Sequence, residues 1–128
     1  MSISIVQLGT PRAADEGLRI GTVRRPPRGV PKAEFASRDY YDTWLPLLAP
    51  SAELMAEGKT AVSDADWAGF ARRYRAEMES GEGARVLDLL AALSHDSHFA
   101  VGCYCENEAR CHRSLLRQLL AERGALLR

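Results

Sequence analysis

The sequence predicts a single α/β domain, a small, mostly parallel, Rossmann-like sheet of three or more strands with helices packed on it. Three observations predict it. Two short apolar runs near the N-terminus, 3–8 and 18–23, have strand character. A third uncharged run, 99–105, is apolar throughout, as in a strand buried on both faces. It passes directly into a segment of helical period, in which His112, Leu115, Leu116, Leu119 and Leu120 fall on one stripe.

Taken in order, Ile3 to Leu8 reads as a first strand that leaves through Gly9-Thr10-Pro11. Leu18 to Val23 is a second strand, and the connection between them is short for a crossover helix, which leaves its direction open. Arg19 to Lys32 then carries five basic residues and no acid, with Pro26, Pro27 and Pro31 forbidding a regular helix. This is a stiff basic loop. Tyr40 to Leu48 is expected to be helical, with Pro46 interrupting it or opening a second short helix. Ser51 caps a helix that Gly58 should end. Ser63 with Asp66 makes a capping-box start for a helix whose inner face is Trp67, Phe70, Ala71, Tyr74 and Met78. Ser80 to Gly83 breaks it. A further helix, 85–93, should turn Val86, Leu89, Leu90 and Leu93 inward. The last helix is expected to stop at Arg123-Gly124.

Bulk composition narrows the function classes. With 128 residues, the chain makes one domain that buries a core without disulfide staples. A formal net charge of zero argues against a general nucleic-acid coat or an anchor to acidic membranes. The N-terminus has no signal-peptide pattern, and no apolar run reaches the ~20 residues of a membrane span. Three cysteines clustered in one place are not a secreted disulfide framework, so a reduced cytoplasm is the expected location.

The candidate site is the strand-to-helix loop from Cys105 to Cys111, since open α/β folds place ligands at the carboxyl edge of the sheet. Three chemistries compete for it. In the first, Arg24, Arg28, Cys105 and Arg113 bind a small anion, the guanidinium groups gripping phosphate or carboxylate in a planar fork. The bland alternative is that Arg19, Arg24 and Arg25 are surface charges paired with Glu106, Glu108 or Asp39. In the second, Cys111 and His112 are catalytic, a cysteine at a helix N-terminus being a stabilised thiolate. Simple packing of Cys111 with Leu115 and Leu119 is the commoner fate of such a residue, and a reversible Cys105–Cys111 disulfide is a further option. No Cys-x5-Arg phosphatase loop is present: Cys105 meets Cys111 there, and Cys103 meets Ala109. In the third, Cys103, Cys105, Cys111 and His112 hold a metal, with zinc as the ion they suit. No cofactor is required by the pattern, and convergence of all four would need an irregular loop.

Cys103, Cys111, His112 and Arg113 match the terminal Cys-(eight on)-Cys-His-Arg signature of the bacterial family called domain of unknown function 488. Gly17-Leu18-Arg19-Ile20, the stretch Arg24 to Lys32, Ala49-Pro50-Ser51 and the pair Phe70 and Tyr74 resemble its YeaO-like branch. The chain departs from that branch at Val23, Pro26 and Cys105, where an Asp, a Trp and a Glu are usual. The resemblance spans nearly the whole chain and implies the α/β fold; the family has no well-established reaction. The function expected is therefore binding of a small phosphate- or carboxylate-bearing ligand, a nucleotide among the options. Two other classes stay open: a non-catalytic thiol-redox or metal sensor, and a protein-interaction module that uses the basic Pro/Arg loop 24–32.

Overall fold

The computed structural model describes all of residues 1–128. Its centre is a four-stranded, all-parallel sheet of β1 (Ile3–Gln7), β2 (Leu18–Gly21), β3 (Thr43–Trp44) and β4 (Phe99–Cys103), in the order β1-β4-β2-β3. The direction of the second strand, which the sequence left open, is thus parallel. Four helices follow: α1 (Ala52–Thr60), α2 (Asp64–Glu79), α3 (Glu82–Leu93) and α4 (His112–Glu122).

β4 sits between β1 and β2, in register Ile5↔Val101 and Ile20↔Val101, and all five of its residues are buried. That is why it carries no charge. Ile3, Ile20, Phe99 and Val101 share one face of the sheet. Leu54 of α1, Phe70 and Tyr74 of α2, Leu87 and Leu90 of α3, and Leu115, Leu116, Leu119 and Leu120 of α4 complete the core there. All four helices therefore contribute to one core. The opposite face is built from small residues, Gly21, Ala100 and Gly102, and the irregular segment before α1 closes over it. Tyr41 lies so tightly on Gly21 that a Cβ there would come within 2.3 Å of its ring.

Several elements form as the sequence predicts. Ser63 accepts from Asp66 N, and Asp66 reaches back to Ser63 N, a complete capping box at the start of α2. Gly124 takes a left-handed turn (φ 80°) just beyond α4. The chain end then runs along β1, with Ile3 N donating to Leu126 O at 2.8 Å and Arg128 N to Ile3 O at 2.9 Å.

Other expectations are corrected. Residues 40–48 are not a helix: Thr43 and Trp44 join the sheet beside Ile20 and Gly21, and Pro46 opens a 3-10 turn, 46–48. The Trp44 indole donates to Val23 O at 2.7 Å, so this short strand is fixed by a side chain as well as by its ladder. Gly58 lies inside α1 rather than ending it, because the Phe70 ring packs where its side chain would be. In α3 the inward stripe is Gly83, Leu87, Leu90 and Ala91, while Leu89 and Leu93 are exposed. The run 99–105 is strand only as far as Cys103, the end of β4, so Tyr104 and Cys105 belong to the following loop.

Candidate functional site

At the carboxyl edge of the sheet the exits of β1, β2 and β4 surround an open cavity of about 700 Å³. Leu8 follows β1, Tyr104 follows β4, and Arg25, Pro26, Pro27 and Arg28 follow β2, with Tyr40 closing the wall. The size is ordinary for a small-molecule site, and the position is the one where a parallel sheet presents its loops.

The walls are held from behind. Tyr104 donates its hydroxyl to Arg25 O at 2.8 Å and meets Tyr40 edge-on, the ring centroids 6.2 Å apart. Burial beside two other phenols keeps the Tyr104 hydroxyl protonated far above the usual tyrosine range. Tyr40 is positioned by Asp39, which takes a left-handed backbone conformation (φ 62°) and accepts at its carbonyl from Gly9 N and from Arg19. The Arg25 and Arg28 side chains have neither a salt-bridge partner nor a hydrogen bond within the protein, although twelve ion pairs form elsewhere. Of the acids the sequence offered as partners, Glu108 is engaged by Arg117 and Asp39 by Arg12, and Glu106 pairs with neither arginine.

The residues singled out in the sequence divide into three places. Arg28 lines the cavity. Arg24, next to Arg25, turns away and donates to Pro50 O at 3.0 Å and Ala49 O at 3.3 Å, locking the loop to the start of α1. Arg113 is buried behind the strand-to-helix loop, where one amino group donates to Cys105 O and its Nε has no partner. Burial, the largest influence, makes its charge harder to hold. Cys105 is an exposed free thiol at the loop surface.

Cys103, Cys111 and His112 form the third group, and all three are buried. The two sulfurs are in contact, yet the Cα atoms are 8.0 Å apart. Disulfides bridge Cα separations of about 4.4–6.8 Å, and beyond ~7 Å the backbone must move, so this is a facing thiol pair. The Cys105–Cys111 pairing, one option from the sequence, is not the one the fold brings together. His112 opens α4, its Nε2 2.7 Å from Thr22 O and its Nδ1 3.8 Å from Cys111 Sγ. A carbonyl can only accept, so Nε2 carries the hydrogen and Nδ1 keeps its lone pair. Burial, with the adjacent Arg113 charge adding to it, pushes the imidazole down to about 4, against the opposing bond to Thr22. It is neutral at neutral pH. Neither Cys111 nor His112 lines the cavity, but Leu8, Tyr40 and Tyr104 belong both to the cavity wall and to the apolar cluster around the two cysteines.

The amides of the strand-to-helix loop are used internally. Residues 108–110 form a 3-10 turn in which Ala109, Arg110 and Cys111 N–H groups bond to Asn107 and Glu108. Arg25, Tyr104 and Leu8 were not selected from the sequence as binding residues. Their signal was present in outline, since Leu8 and Tyr104 directly follow β1 and β4 and Arg25 is the fourth residue past β2.

A model of the active DUF488-N3 subclade matches residues 3–124. The chain belongs to the domain of unknown function 488 family, as its terminal Cys, Cys-His-Arg signature suggested; the match is to that subclade and does not bear on the YeaO-like branch. No curated protein and no solved structure matches the chain.

Proposed function

We propose that this member of the active DUF488-N3 subclade binds a small phosphate- or carboxylate-bearing molecule of nucleotide size in the cavity at the carboxyl edge of the sheet. One observation carries the reading: Arg25 and Arg28 face this cavity with no internal partner, in a protein that pairs most of its other arginines. Two guanidinium groups lining one cavity without a counter-charge are free to donate to an anion bound there, in charge-assisted and bidentate hydrogen bonds. Tyr40, Tyr104, Leu8 and two prolines supply apolar and aromatic walls, which suit a ligand with a flat or apolar part beyond its charged group. The absence of a helix long and apolar enough to cross a membrane agrees with a binding domain that does not span one.

The test is calorimetric titration with nucleoside monophosphates, sugar phosphates and dicarboxylates, first at low salt. Charge-assisted hydrogen bonds contribute about 1.5–3 kcal/mol each, so Arg25→Ala and Arg28→Ala should each weaken binding roughly ten-fold or more. Arg38→Ala, an exposed arginine outside the cavity, should leave it unchanged. No binding by the wild type across the three classes, or unchanged affinity in the Arg25→Ala/Arg28→Ala double variant, would reject the proposal.

A further inference from the structure

Beneath the cavity, a second site of different chemistry follows from the buried thiols. We propose that Cys103 Sγ, Cys111 Sγ and His112 Nδ1 are three ligands of a borderline-soft cation of the zinc class. This rests on different atoms from the anion cavity and stands or falls apart from it.

The geometry points there from three directions. The ligand atoms of all three residues lie within 4.8 Å of one another, and each residue is buried, at 2%, 2% and 6% exposure. Tetrahedral zinc with bonds of ~2.0–2.3 Å sets its ligands roughly 3.3–3.8 Å apart, so His112 Nδ1 at 3.8 Å from Cys111 Sγ is already at ligand spacing. The sulfurs now in contact would separate modestly as the ion enters. The 8.0 Å between Cα atoms is too wide for a disulfide, so the two sulfurs face each other as thiols that an ion can part.

Second, the imidazole is held as a metal-binding histidine is usually held. Its Nε2–H is fixed on the Thr22 carbonyl at 2.7 Å, which sets the tautomer and turns the Nδ1 lone pair toward the sulfurs. Third, the same cluster contains an unsatisfied polar atom. The Tyr41 ring packs with Cys103 and Cys111, and its hydroxyl is buried with no hydrogen-bond partner. A buried polar atom left unpaired is costly and calls for a partner, and this one belongs to the same cluster as the two cysteines.

Two sulfurs and one nitrogen select zinc-class ions over magnesium or calcium, which require oxygen. On binding, each thiol loses its proton to solvent as its sulfur bonds to the metal, and the imidazole, already neutral, loses none. Cys105 lies outside the set because its thiol is exposed at the loop surface.

The experiment uses the full chain, reduced and stripped with chelator, titrated anaerobically with Co2+ as a spectroscopic substitute for zinc. One equivalent should give thiolate-to-cobalt charge-transfer absorption and the d–d bands of a four-coordinate site, and zinc should bleach both. Cys111→Ser and Cys103→Ser should each halve the charge-transfer intensity, His112→Gln should weaken binding by about 100-fold, and Cys105→Ser should change nothing. Circular dichroism of every variant separates a lost ligand from a lost fold. Even if the buried variants unfold, wild type and Cys105→Ser decide the matter. Absence of charge-transfer absorption in reduced, folded wild type overturns the proposal. So does a signal lost in Cys105→Ser, or a thiol count showing that Cys103 and Cys111 remain a cystine after reduction in the folded state.

Discussion

Arg19 offers the most demanding test of the structural reasoning, because the sequence places it in a basic stretch and the fold buries it almost completely, at 1% exposure. It forms a two-pronged pair with Glu16, itself 4% exposed, through Nε at 2.7 Å and one amino group at 3.1 Å. The other amino group donates to Thr10 O at 2.8 Å and Asp39 O at 2.6 Å. One guanidinium therefore ties the exit of β1 and the residue before Tyr40 to β2. Arg19→Met keeps much of the side-chain volume and removes the charge and four hydrogen bonds. Breaking a buried pair from one side costs about 3–5 kcal/mol, most of it the stranded partner. Against a total stability of about 5–15 kcal/mol this is a large share. Removing both charges, in Glu16→Leu/Arg19→Met, should recover most of the loss. It leaves the two carbonyls short of a donor, of which Asp39 O keeps Gly9 N at 2.8 Å, so a residual deficit of about 1–2 kcal/mol is expected. Urea unfolding at neutral pH, with slopes compared to confirm two-state behaviour, measures all three proteins. The reasoning is refuted if Arg19→Met lies within about 1 kcal/mol of wild type, or if the double variant is no more stable than the single one.

His112 predicts a pH dependence. Its folded value of about 4 lies below the ordinary 6.5, so the fold favours the neutral ring, and its contribution is complete above pH ~6.5 and lost as pH falls toward ~4. In chelator-treated protein the urea midpoint should fall between pH ~6.5 and ~5, approaching 1.4 kcal/mol per pH unit; the lowered carboxylates Asp42 and Glu108 contribute their loss mainly below that window. His112→Gln should flatten that slope, and an equal slope in both proteins would assign it elsewhere. Gly102→Ala should lower stability by about 2 kcal/mol or more, since its Cβ would sit 2.5 Å from Val6 O and force β1 from β4; an unchanged melting temperature would contradict the strand spacing. Ser63→Ala should cost about 1 kcal/mol by removing half of the capping box, read from thermal melts. It should leave ligand binding at the cavity untouched.

The parts of the fold legible in the sequence are those where one physical requirement dominates. β4 is apolar because strands lie on both sides of it, and α4 shows one unbroken leucine stripe because only that face is covered. α3 was harder for a reason its own residues show. With Val86, Leu87, Leu89, Leu90, Ala91 and Leu93 all apolar, two stripes are about equally good, and contact with the other helices selects Leu87 and Leu90. β3 has two residues and so no period at all; it exists because Trp44 reaches Val23 O and Asp42 accepts from Arg19 N. Arg19 is hidden for the same kind of reason. Its partner lies three residues back in an irregular connection, and nothing local distinguishes that pair from two solvated charges. The cavity suffers likewise, since Leu8, Tyr40, Arg25 and Tyr104 come from four separate stretches.

What makes the basic loop able to present two unneutralised arginines is the pinning of its first four residues. Thr22 N and Oγ1 both donate to Gly102 O, and Thr22 O is near His112 Nε2. Val23 O accepts from Trp44, the Arg24 guanidinium holds the carbonyls of Ala49 and Pro50, and Arg25 O accepts from Tyr104. Each residue from 22 to 25 is thus tied to a different element: β4 and α4, β3, the approach to α1, and the loop after β4. Pro26 and Pro27 then carry the chain on with little freedom. The pinned backbone of 22–25 keeps Arg25 at the cavity wall, with Arg28 three residues on. The proposed metal ligand His112 belongs to the same set of pins. The order of the chain at this edge therefore places a dry, sulfur-lined layer under a wet, cationic one, with the Thr22 carbonyl and the Tyr104 ring as the groups between them.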